Sequence, residues 1–190
     1  MAMSAFYGFV IVCLVGIASA EPRQGACPDI ETMPDFNIAM VFGRWYEAKR
    51  YFHKSETHAK CVTAEYGLRT DGSVKFIHSQ IDNSTGERAS IEGNLHQPDI
   101  NEPGKLKMKF PMIPVEGNFW ILGTDYENYL VIYSCRDMKS SHVQSAWILT
   151  RKPQPSEFII RRALLVALKH NVDTKPFIDT DHTDCVVDME

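Results

Sequence analysis

The segment KLKMKF, Lys105 to Phe110, alternates without interruption: Leu106, Met108 and Phe110 share one face, and Lys105, Lys107 and Lys109 the other. A period of two belongs to an extended strand, here with one buried and one wet face. The same period recurs between turn signals set at short intervals, in RTDGS, DNSTGE, DINEPGK, PMIPVEG, TDYENY and RDMKSSH. Such spacing is that of strands joined by hairpins. One row runs Val62, Ala64, Tyr66, Leu68, and the next Val74, Phe76, His78, Gln80. Then come Ala89, Ile91, Gly93, Leu95, the pair Phe119 and Ile121, and the row Leu130, Ile132, Ser134. Val143, Ser145, Trp147, Leu149 and Arg151 form the last. With GRWYEAKRYF these make about eight strands in an antiparallel meander. A sheet of that size removes its exposed edges by closing on itself, and its interior then holds side chains or one small ligand.

After the last strand the period changes. PSEFIIRRALLVALKHN places Ser156 as an N-cap ahead of good helix formers, with Arg161, Arg162 and Lys169 interrupting a broad apolar surface. One amphipathic helix is expected, packed on the outside of the sheet. The fold class is therefore all-β, an eight-stranded up-and-down barrel with a single C-terminal helix.

The first 20 residues, an apolar run ending in Ala18-Ser19-Ala20 before the first charges, read as a secretory signal peptide. Residues 21–190 are expected to form one domain of about 170 residues, secreted and extracellular. A net charge of −4 with no basic block argues against nucleic acid as a partner. Cys13 leaves with the leader, so Cys27, Cys61, Cys135 and Cys185 form an even set in an oxidising compartment, and two disulfides are expected. Counting alone leaves three pairings open. The chain has no C-x-x-C to suggest zinc or redox chemistry, and no metal is expected. It also lacks the G-x-S-x-G turn of a serine nucleophile, and no enzymatic role is expected. Asn83-Ser84-Thr85 is a glycosylation acceptor at what reads as an exposed hairpin tip.

Three separated motifs then fall in order: GRWYE at Gly43 to Glu47, TDYENY at Thr124 to Tyr129, and Arg151 in WILTRKP, followed by the helix. Together they resemble the lipocalin family over essentially the whole mature length. CPDI, KCVTAEY, TDYENYLVIYSC and a cysteine near the C-terminus resemble, within it, the branch of apolipoprotein D and the insect bilin-binding proteins. That resemblance implies Cys27 paired with Cys135 and Cys61 with Cys185. It also implies a structural motif of Gly43, Trp45, Thr124, Asp125, Tyr126 and Arg151, in which Trp45 lies at the closed end under the Arg151 guanidinium. PDFNIAMVFG should plug that end. By the same resemblance the protein carries a small hydrophobic molecule such as biliverdin, a retinoid or a fatty acid, and no cofactor is required.

Candidate ligand contacts are the inward rows: Tyr66, Phe76, His78, Gln80, Ile91, Leu95, Met108, Phe110, Met112, Phe119, Ile132, Ser134, Val143 and Trp147. Trp147 serves equally as plain core. His78 and Gln80 are the polar members of an apolar row. A hydroxyl such as that of Tyr66 would satisfy His78, or a ligand would; iron ligation by His78 lacks any second supporting feature. His53, Lys54, His58, Lys60, Arg136 and Lys139 belong to the rim of the open end, where a ligand carboxylate would meet them or solvent would. Met112, Ile113 and Val115 form an apolar loop suited to a membrane or lipoprotein surface, or to gating. The alternative function is an interaction or inhibitor protein whose barrel is filled by its own side chains and which acts through the open-end loops. One residue fits none of this easily: period two from Trp45 sends Glu47 and Lys49 inward and Arg50 outward, so Glu47 must be paired in the interior or a bulge must shift the phase.

Overall fold

The computed structural model describes residues 22–52, 58–111 and 114–185. The expected leader, His53, Lys54, Met112 and Ile113 lie outside them. The described chain begins with β1 (Arg23–Gln24) and a single 3-10 turn, Ile38–Val41. Then follow β2 (Gly43–Tyr51), β3 (Ala59–Leu68), β4 (Val74–Asp82), β5 (Arg88–His96), β6 (Lys105–Lys109), β7 (Gly117–Thr124), β8 (Tyr129–Asp137) and β9 (Ser141–Thr150). Helix α1 (Glu157–Lys169) and β10 (Phe177–Asp179) complete it. Strands β2 to β9 pair antiparallel in sequence order, and β9 returns to β2, closing an eight-stranded barrel. The alternation in the sequence marks each of these strands.

Two apolar clusters share the barrel wall. The inner one gathers Trp45, Tyr66, Phe76, Leu95, Leu106, Phe119, Ile121, Leu130, Ile132 and Leu149. The outer one gathers Tyr51, Leu122, Val131, Tyr133, Ala146 and Ile148 under Ala163 and Ala167 of α1. Helix packing here is close: a Cβ on Gly123 of β7 would stand 2.9 Å from Val166 Cγ1. Covered on both faces, β8 has Tyr129 through Tyr133 all buried.

The closed end is built as the motifs imply. The 3-10 turn, capped by Asn37 Oδ1 accepting from the Ala39 N–H at 3.0 Å, lies across the base. Trp45 is wholly buried and donates its indole N–H to Val41 O at 2.7 Å. The Arg151 guanidinium carbon sits 3.8 Å from the Trp45 ring centroid, a favourable stacking of a cation on an indole. Its N–H groups reach the carbonyls of Phe42 (3.1 Å), Arg44 (3.0 Å) and Tyr126 (3.3 Å). Gly43 turns with φ of +92°, a conformation a side chain resists, directly beside Arg151. In the β7–β8 turn Asp125 Oδ1 accepts from the N–H groups of Asn128 (2.8 Å) and Tyr129 (3.1 Å). Those bonds hold its carboxyl below the usual carboxylate range, against the opposing effect of its partial burial.

Disulfides join Cys27 to Cys135 and Cys61 to Cys185. The first holds the N-terminal segment, whose β1 extends the sheet beside β9. The second holds the C-terminal tail in a place that period two could not announce. β2 pairs with β3 only over Gly43 to Tyr46; beyond that, β10 pairs with Lys49 to Tyr51, and the Cys61 N–H donates to Asp181 O at 2.8 Å. The tail thus fills the seam where β2 and β3 part.

Candidate functional site

Inside the barrel, above the Trp45 floor, lies a cavity of about 180 Å³. Its wall is formed by Glu47 of β2, Val62, Thr63, Ala64 and Tyr66 of β3, and Phe76 and His78 of β4. Met108 and Phe110, Phe119, Ile132, Trp147 and Leu149 complete it from the later strands. The aromatic rings hold one another in place: Phe76 meets Phe110 edge-on at 5.3 Å between centroids, and Tyr66 meets Phe119 at 6.2 Å. Phe76 has room only because its cross-strand neighbour is a glycine. A Cβ on Gly93 would lie 2.5 Å from Phe76 Cε1 and 2.9 Å from Lys109 O.

Of the sequence-derived contacts, the fold brings together Tyr66, Phe76, His78, Met108, Phe110, Phe119, Ile132 and Trp147 around this space. Leu95 is buried in the inner cluster without lining the cavity. Ser134 and Val143 continue the inward row beyond Ile132 and Trp147 toward the open end, paired with Ser145 and Arg136. Ile91 stands opposite His78 but is 41% exposed. Gln80 lines a separate groove of about 530 Å³ bordered by Cys61, His182 and Cys185. Val62, Ala64 and Leu149 join the wall from rows visible in the alternation, though not named as contacts from it, and Thr63 joins from the opposite phase, next to a register shift between Lys60 and Thr63. Asn83 is exposed at the β4–β5 turn, where the Asp82 carboxylate accepts from the Ser84 and Thr85 N–H groups. Val115 is 60% exposed.

Glu47 is the residue that the alternation left unsettled. Both possibilities left by the alternation hold at once. It points inward, 2% exposed, and a bulge follows it: Glu47 stands opposite Leu149, but Lys49 opposite Ile148 and Arg50 opposite Trp147. The extra residue reverses the phase, so Arg50, expected outward, is inward and 4% exposed, while Lys49, expected inward, pairs with Asp179 of β10. Arg50 Nη1 donates to Glu47 Oε1 at 2.6 Å and to Thr180 Oγ1 at 3.0 Å, and the Thr180 hydroxyl donates to the same carboxylate oxygen at 2.7 Å. A buried ion pair closed by a hydroxyl from the tail therefore backs the cavity.

His78 differs from the expectation that Tyr66 would satisfy it. No hydrogen bond to His78 is present among the described residues, and its Nε2 is buried without a partner. Its cross-strand neighbours, Ala64 and Ile91, offer no polar side chain. Burial lowers its pKa from the ordinary 6.5, with Glu47 opposing and Arg50 reinforcing the shift. Tyr66 is pushed up, first by burial and then by Glu47, and stays a neutral phenol.

The family model described as "Lipocalin / cytosolic fatty-acid binding protein family" matches residues 42–184. Apolipoprotein D of Macaca fascicularis is 33% identical over 176 residues, covering 90% of this chain and 91% of that protein. The Lazarillo protein of Schistocerca americana is 35% identical over 156 residues, 80% of this chain and 72% of that one. Among solved structures, insecticyanin from the tobacco hornworm Manduca sexta superimposes with a TM-score of 0.75 at 28% identity, covering 86% of this chain and 89% of that one.

Proposed function

Because this chain belongs to the lipocalin / cytosolic fatty-acid binding protein family, we propose that it is an exported carrier that encloses one small hydrophobic molecule within β2–β9. The observation that carries the reading is the cavity itself, walled by Tyr66, Phe76, Phe110, Phe119 and Trp147 with Met108 and Ile132 between them. Such a wall binds by burial, each Å² of apolar ligand surface withdrawn from water contributing about 25 cal/mol before the cost of ordering the ligand. Ligand pockets for drug-sized molecules run to roughly 300–1,000 Å³, so a space of about 180 Å³ favours a slender molecule, an acyl chain or a retinoid, over the broad plane of a tetrapyrrole. Export is supported by the leader-like opening and the two disulfides, and glycosylation by the exposure of Asn83.

Mass spectrometry of an organic extract of the protein from its native tissue tests this directly, with a stoichiometric apolar compound expected. Titration with retinol, followed by quenching of Trp147, is expected to saturate, and the quenching amplitude to fall in Trp147→Phe. A visible absorbance band in the native protein would return the ligand to the pigments. Absence of any extractable ligand, together with no saturable quenching, would favour a barrel that acts through its outer loops.

A further inference from the structure

Hydrogen-bonding side chains on the cavity wall come from Glu47, Thr63, Tyr66 and His78, with the Trp147 indole. They are not equivalent. Glu47 is occupied by Arg50 and Thr180, and its charge is matched by that of Arg50. His78 has a buried ring nitrogen with no partner and no polar neighbour across either adjacent strand. Buried polar groups in folded proteins are nearly always satisfied, and because the His78 side chain lines the cavity, a small turn of its ring would bring this enclosed nitrogen to whatever enters there. We propose that His78 is the hydrogen-bonding partner for the polar end of the ligand, and that the site selects an uncharged hydroxyl or carbonyl end over a carboxylate; this rests on the carrier reading above.

The selection follows from the charges. Among the described residues no Lys or Arg lines the cavity, while the Glu47 carboxylate does. A carboxylate ligand would give up its hydration against a wall whose one carboxylate is already neutralised by Arg50, with no further cation among the described lining residues to receive it. An alcohol or a carbonyl gives up far less. Neutral imidazole carries one donor and one acceptor, so it meets either end group. Burial keeps His78 in that neutral form near pH 7, and its ring therefore supplies no counter-charge for an anion.

The test uses three probes with one chain and three ends, 1-dodecanol, dodecanoate and dodecane, each competing with retinol in the intact disulfide-bonded protein. Dodecanol is expected to bind about tenfold more tightly than dodecane, the scale of one net neutral hydrogen bond, and more tightly than dodecanoate. In His78→Phe the alcohol should lose its advantage while dodecane affinity is kept, which also shows that the variant is folded. His78→Gln, which retains a donor and an acceptor, should restore part of it. Dodecanoate binding the native protein as tightly as dodecanol, or an alcohol preference that survives in His78→Phe, would overturn the assignment while leaving the carrier reading intact. Failure of all three probes and of retinol to bind would instead overturn the carrier reading, and this inference with it.

Discussion

Arg50 donates to Glu47 across 2.6 Å with both side chains more than nine-tenths buried, and the pair forms because a bulge turns both toward the same interior. Period two alone turns Glu47 inward, but only the bulge after it brings Arg50 to the same side. A buried pair of this kind is a weak source of net stability, since desolvating two ions offsets most of their attraction, but breaking it is costly. Glu47→Gln should therefore destabilise the protein by ~3–5 kcal/mol, because the Arg50 charge remains in the interior. Glu47→Gln combined with Arg50→Met should recover much of that loss. Urea unfolding of the native, two single and double variants checks it; additive losses would mean that the two side chains do not act as a unit.

The floor beneath that pair depends on the shape of a guanidinium as well as on its charge. Arg151 covers Trp45 and donates to the carbonyls of Phe42, Arg44 and Tyr126, tying the plug, the start of β2 and the β7–β8 turn to the end of β9. A lysine keeps the charge but not the planar fork. Arg151→Lys should cost ~2–3 kcal/mol, the scale of hydrogen bonds from a charged group. Trp45 emission should shift to longer wavelength as water reaches the ring. Unfolding curves followed by fluorescence measure both, and an unchanged midpoint would show that the carbonyls find another donor.

Much of this was legible in the chain. Alternation placed all eight barrel strands, most plainly β3, where Val62, Ala64 and Tyr66 are buried and Thr63 and Glu65 between them are wetter, and it nominated Tyr66, Phe76, Phe119 and Trp147 for the interior, where they are found. The TDYENY and Gly-x-Trp motifs were readable because they act locally, through a turn and a capped base. Three things were not. β10 is three residues with no period of its own, held by Cys185 and by a gap between two other strands. The bulge after Glu47 depends on the register against β9, a strand about a hundred residues further on, and an inserted residue leaves no mark in composition. Gln80 and Ile91 had the phase of the inward row, but Gln80 lines the groove beside Cys61 and Cys185, and Ile91, level with His78, is 41% exposed; phase alone does not encode how far a position is enclosed.

Gly93 should be intolerant of a single methyl group. Phe76 occupies the space over it, packed in turn by Tyr66, Phe110 and Phe119, and a carbonyl closes the other side. Gly93→Ala must push the Phe76 ring into the cavity or move β6. Overpacking of this sort costs ~1–3 kcal/mol. Retinol affinity should fall together with the unfolding midpoint, whereas Phe76→Leu on the Gly93→Ala background should restore binding by returning space. Native affinity in Gly93→Ala alone would show that the ring yields without entering the cavity.

His78 should give the folded protein an acid sensitivity that its removal abolishes. Its folded pKa lies below the ordinary 6.5 because burial disfavours the imidazolium. Above that value both folded and unfolded chains hold it neutral and it contributes no pH dependence. As pH falls below 6.5 the unfolded chain takes up a proton that the folded chain refuses, so stability declines until the folded pKa is passed. Denaturation midpoints between pH 7.5 and 5.5 should therefore decline more steeply for the native protein than for His78→Gln, in which this group no longer titrates. Parallel profiles would place the proton uptake on other groups.

The Cys61–Cys185 bond should control the ion pair from outside the barrel. It closes a loop of 124 residues, for which chain entropy gives a ceiling of ~4–5 kcal/mol. Its structural role extends further. Cys61 is held at φ of 54°, a left-handed conformation uncommon for a side-chain-bearing residue, and its N–H is bonded to the tail at Asp181. Thr180, one residue earlier, supplies the hydroxyl that closes the Glu47–Arg50 pair and bonds its own N–H to Ala48 O. In Cys61→Ala/Cys185→Ala the tail is expected to detach before the barrel opens. The amides of Thr180 and Cys61 should then exchange hydrogen ahead of those of β7 to β9, and a protease should remove the tail while the Trp147 signal stays native. If the link acts only by entropy on the unfolded chain, all protected amides should instead lose protection by the same factor. Thr180→Val in the intact protein separates the two cases: it leaves the disulfide and should still weaken the pair, lowering the midpoint by ~1–3 kcal/mol for the lost buried hydrogen bonds.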